Sequence, residues 1–125
     1  MAVLNILVIM MAVIHVYVFC LESILWGKPK TNRVFGVTDA NAQVMRSAMF
    51  NQGFYNLFLA VALLMGFFWS SQPGNEIQAQ TLKDYAALSI LGAALVLWLS
   101  EPKLLRAVMI QGLPAAIYWV IRLTL

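Results

Sequence analysis

The chain has 125 residues, a formal net charge of +3, 62% hydrophobic residues and only 10% charged ones. Soluble domains carry about 25% charged residues, so this composition excludes an ordinary soluble globule and points to the membrane class. The basic residues gather at the ends of apolar runs, which orients a membrane protein and gives no nucleic-acid surface. The lone Cys20 excludes an intramolecular disulfide.

The pattern predicts an all-α integral membrane bundle of four transmembrane helices, up-down-up-down, as one domain over residues 1–125. The first span covers residues 2–26, interrupted by Asn5, His15 and Glu22. It exceeds the roughly 20 residues that cross hydrocarbon. Its first ten residues carry no Lys or Arg, so it is expected to be retained rather than cleaved as a signal peptide. Gly27-Lys28-Pro29-Lys30 ends it, and a polar loop is expected to residue 43, with Thr38 or Asp39 as the next cap. The second span covers 44–69 and ends at the turn Ser70-Ser71-Gln72-Pro73-Gly74-Asn75. The third, 82–99, carries Ser89, Gly92, Ala93 and Ala94, small enough for close helix packing, the first three a candidate contact within or between subunits. Ser100-Glu101-Pro102 reads as an N-cap for the fourth, 104–123, in which Pro114 predicts a kink near Gln111-Gly112.

Loops 27–43 and 100–103 then share one side with Lys28, Lys30, Arg33, Arg46, Lys103 and Arg106; only Lys83 and Arg122 lie near the other. The positive-inside rule puts those loops in the cytoplasm and both termini outside. At about 1.5 Å per residue, Glu22 lies about 6 Å from the inner end of its span, Asn51, Gln52 and Gln111 about 10 Å, and His15 and Asn56 about 16–18 Å. The outer half is mainly Leu, Val, Phe and Ala. The expectation is a polar cavity open to the cytoplasm and sealed outside.

Asn51-Gln52-Gly53-Phe54-Tyr55-Asn56 is the densest polar stretch inside a span. A buried amide without partners costs about 2–7 kcal/mol, so this segment must face something other than lipid. His15, Phe19, Glu22 and Trp26 form one helical stripe; Gln111, Ala115 and Tyr118 form another. Together His15, Glu22, the basic loop with Phe35, Asn51-Gln52-Gly53-x-Tyr55-Asn56 and Gln111-Gly112-x-Pro114 resemble a family of small bacterial membrane proteins catalogued as a domain of unknown function. The resemblance implies a four-helix membrane protein and brings no activity.

The candidate ligand-binding residues are His15, Glu22, Trp26, Asn51, Gln52, Tyr55, Asn56 and Gln111. Glu22 is a proton carrier or cation partner, or else an ion-pair partner of Arg46 or Arg106. His15 moves protons, or is a neutral packing histidine bonded to Asn56 or Tyr55. The amides, with donors and acceptors both, suit an amphipathic ligand or a purely structural polar core. Phe19, Trp26, Tyr55 and Phe54 would give aromatic walls, and Phe35 a lid. One His, one Cys and one intramembrane Glu without close spacing suit no metal, no cofactor is implied, and Cys20 reads as an apolar filler. Three functions stay open: binding or transport of a small amphipathic molecule, which would take a homo-oligomer for alternating access; a membrane enzyme on a lipid-like substrate; or an accessory protein. Membrane lipids are the expected partners.

Overall fold

A computed structural model describes residues 2–125, and among these no strand occurs. The first span is helix α1 (Ala2–Phe19) followed by a π-helical turn (Cys20–Ile24), closed by the Leu25 amide donating to the Cys20 carbonyl at 2.8 Å. Helices α2 (Pro29–Phe35), α3 (Asp39–Trp69), α4 (Glu76–Ser100) and α5 (Leu105–Thr124) follow, the last entered through a 3₁₀ turn at Pro102–Leu104. Four segments are long and apolar enough to cross a membrane: Ala2–Ile24, Asp39–Trp69, Glu76–Ser100 and Pro102–Thr124.

Helices α1 and α4 each pack against both α3 and α5, which makes a four-cornered ring. Trp26 meets Ala42, Gly66 meets Lys83 and Gly112 meets Ala94, so successive long helices run antiparallel. The centre is filled by Val8, Met11, Leu63, Ile90, Ala115 and Tyr118. The outward faces carry Ile6, Val13, Phe58, Leu88, Leu95 and Val120, all well exposed. Lipid is as apolar as a protein core, so such a surface is stable there, whereas in water it would aggregate.

Several boundaries differ from expectation for local reasons. Helix α3 begins at Asp39 rather than near residue 44: the Thr38 side chain accepts from the Asn41 amide at 3.2 Å, and Asp39 complements the helix dipole. Its 31 residues make a rod of about 46 Å. The polar loop is not featureless, because Pro29 starts α2 and Gly36, in left-handed conformation, ends it. Helix α4 starts at Glu76, six residues before the expected span. Ser100 is not an N-cap: it closes α4, its hydroxyl donating to Val96 O at 2.8 Å. Helix α5 continues through Pro114 from Leu105 to Thr124. Gly92 and Ala93 are exposed, and a Cβ on Gly92 would meet nothing within 4 Å, so neither is among the buried residues of the α4 seam. Ala94 does pack, against Gly112 of α5, on a seam with Ala79, Lys83, Ala86, Ala87 and Ile90.

Candidate functional site

The π turn presents Glu22 to α3. Glu22 is only 6% exposed, and its Oε2 accepts from Asn56 Nδ2 at 2.8 Å. The same amide nitrogen donates to Gln52 O at 3.1 Å, one turn back on α3. Single π turns recur at functional sites, where the widened turn re-aims a side chain. The two helices approach this closely because Gly53 lies against Ser23, where any Cβ would collide with the serine hydroxyl. The Ser23 hydroxyl in turn donates to Phe50 O at 2.8 Å and ties the π turn to α3.

Below this contact the chain opens into a groove of about 520 Å³ lined by Glu22, Ser23, Trp26, Gln43, Val44, Arg46, Ser47 and Phe50. That volume falls within the roughly 300–1,000 Å³ of small-molecule sites. Trp26 is buried; its indole N–H donates to Ala42 O at 2.7 Å, and Phe35 packs edge-on against its ring at 5.1 Å. Phe35 therefore supports the groove wall and does not cover its mouth. The guanidinium of Arg46 lies against Gly27, where a Cβ would stand 2.7 Å from Nη2. Neither ion pair among the described residues involves Glu22, Arg46 or Arg106.

The other candidates do not gather here. His15 is 2% exposed, but its Nδ1 bonds to Met11 O at 2.8 Å on its own helix, not to Asn56 or Tyr55. Asn51 and Gln52 are exposed, and Tyr55 is 63% exposed on the outer face beside Phe58. Gln111 is half-buried on α5. Phe19 and Phe54 pair edge-on at 5.2 Å between α1 and α3. Cys20 opens the π turn, half-buried and reduced. Of the eight candidates, Glu22 and Trp26 line the groove and Asn56 holds Glu22.

A family model for a protein of unknown function, DUF1304, matches residues 9–123. The chain belongs to the DUF1304 family. No curated protein and no solved structure matches it.

This DUF1304 chain also has a second polar cluster, at the opposite end of the bundle. Asp84 Oδ1 accepts from the Tyr118 hydroxyl at 2.6 Å and from Gln80 Nε2 at 2.7 Å, and Arg122 Nε stands 3.5 Å away. Gln80 Nε2 also donates to the Tyr118 oxygen at 2.9 Å. Lys83, 6% exposed, donates to Ser70 Oγ at 2.8 Å and lies over Gly66, where a Cβ would stand 2.7 Å from its Cγ. The terminal end is therefore not the plain apolar seal that the depth argument predicts. The signal was present: Lys83 and Asp84 sit inside the expected third span.

Proposed function

We propose that the protein is a multi-pass membrane protein that binds a small amphipathic molecule in the Glu22 groove, with the groove open to the cytoplasm of a bacterial cell. The observation that carries this is the state of Glu22. A buried carboxylate with one neutral hydrogen bond and no basic partner is costly, and a proton or a cationic ligand relieves it, so the group keeps capacity for a ligand. Twenty residues counted back from Trp69 reach Phe50, so on this reading the groove lies at headgroup level, where an amphiphile has both its halves accommodated. The basic residues around this end, against Lys83 and Arg122 at the other, support the cytoplasmic orientation. Residues Asn51, Gln52 and Tyr55 are exposed on α3 outside the groove lining, and Gln111 and His15 also lie outside it. Transport would need a second copy, because four helices leave little room for a path; Gly92 and Ala93 offer an exposed small surface for it. The catalytic alternative has less support, since His15 is turned onto Met11 and away from Glu22.

The test is native mass spectrometry of the detergent-extracted protein. A co-purifying amphiphile is expected on the wild type and lost in Glu22→Gln with the bundle still folded. A wild-type protein that holds no small molecule under any mild extraction defeats the proposal. So does a Glu22→Gln protein that retains it unchanged.

A further inference from the structure

Resting on the amphiphile reading, we propose that the groove selects a zwitterionic phospholipid, with its ammonium toward Glu22 and its phosphate toward Arg46. The groove walls hold one acid and one base that are not paired with each other. A ligand with one charge would engage only the buried acid or only the exposed base. A ligand with a cation and an anion a few bonds apart satisfies both.

Glu22 has room for a cation. Only Oε2 has a hydrogen-bond partner among the described residues, and that partner is neutral. Trp26, almost wholly buried, lines the groove beside Glu22 with its N–H already given to Ala42. A carboxylate beside an aromatic side chain attracts an ammonium group through its charge, with the aromatic wall excluding water. On the other wall, Arg46 offers a forked donor that matches phosphate oxygens, with Ser47 and Gln43 beside it on α3. The lipid tails have a track as well: Phe50 and Phe58 are exposed on the same helix, half or more of each ring side chain facing outward. A free phosphoethanolamine shares the headgroup chemistry but not the tails, so lipid and soluble sources can be told apart.

The test uses full-length protein, delipidated in detergent, with bound species counted by native mass spectrometry. The probes are phosphatidylethanolamine, phosphatidylglycerol and free phosphoethanolamine, each at equal concentration. The wild type is expected to retain phosphatidylethanolamine about tenfold over phosphatidylglycerol, the scale of one desolvated charge contact. Glu22→Gln should erase that preference while leaving phosphatidylglycerol retention unchanged. Arg46→Gln, at an exposed position that folding tolerates, should weaken both lipids about tenfold. Val120→Ala, on the outer face of α5, serves as the unaffected control.

Equal retention of the two lipids by the wild type overturns the zwitterion assignment but leaves the amphiphile reading standing. Unchanged phosphatidylethanolamine retention in Arg46→Gln overturns it also, whatever the behaviour of the Glu22 variant. Free phosphoethanolamine binding as tightly as the lipid overturns the lipid source. If neither these probes nor any co-purified amphiphile binds, the broader function fails with it.

Discussion

The two ends of the bundle use polar residues in opposite ways. At the terminal end, Asp84 collects Tyr118, Gln80 and Arg122 around one carboxylate oxygen, and Lys83 is closed over by Gly66 and Ser70. At the groove end, Glu22 has a single amide partner and borders open space. A saturated carboxylate is a clamp: its energy goes into holding α4 to α5. An unsaturated one keeps its capacity for something that arrives from outside. The contrast predicts that substitutions at the terminal end cost stability, and that those at the groove end cost binding.

The sharpest way to break this contrast is Asp84→Ala. Tyr118 loses its acceptor, Gln80 one of its two and Arg122 its ion-pair partner, and we expect a loss of about 3 kcal/mol in unfolding by mixed detergents. A loss as small as that of a surface substitution would mean that the terminal cluster is no clamp. Next, Gly53→Ala should cost about 1–3 kcal/mol, because the new methyl meets Ser23. Adding Ser23→Ala should restore part of it, since the hydroxyl is the first atom struck. Tyr118→Phe should cost about 1–1.5 kcal/mol by the same detergent titration, the worth of one hydrogen bond to a charged group softened by the remaining Gln80 contact.

Glu22→Gln sits on the other side of the comparison. Glutamine still accepts from Asn56, and it removes an unpaired charge, so stability should stay within about 1 kcal/mol or rise. Ligand retention should nonetheless collapse; a strongly destabilised Glu22→Gln that keeps its ligand would reverse the roles of the two ends. The smallest effect is expected for Asn51→Ala, an exposed residue, at about 0.5 kcal/mol or less by thermal unfolding.

The four spans were legible because length and apolarity alone determine them. Which face of each helix turns inward was harder to read. In lipid, both the inside and the outside of a bundle are apolar, so hydrophobicity does not separate them. On α3 the buried seam is Gly53, Asn56, Ala60, Leu63 and Gly66, spaced three, four, three and three. At about 100° per residue, Asn51, Gln52, Tyr55 and Asn56 spread over an arc of about 140°, wider than any one contact, and only Asn56 lies on the seam. Small residues, rather than the amides as a set, mark the inside. The π turn carries no sequence signature, since Cys20–Ile24 would read equally well as α-helix. The Asp84 cluster was missed because depth was ranked on amides and histidine, while an adjacent Lys-Asp pair looked like the edge of a span.

The length of α3 has a mechanical consequence. A rod of about 46 Å outruns a hydrocarbon slab of about 30 Å by some 16 Å. With Lys83, Asp84 and Arg122 as charged groups near the terminal end, a change in bilayer thickness would also be felt at the groove end. A thicker membrane would draw Phe50 and the groove floor into hydrocarbon; a thinner one would lift them toward water. The site would then respond to the thickness of its membrane as well as to the molecules in it, with α3 as the gauge.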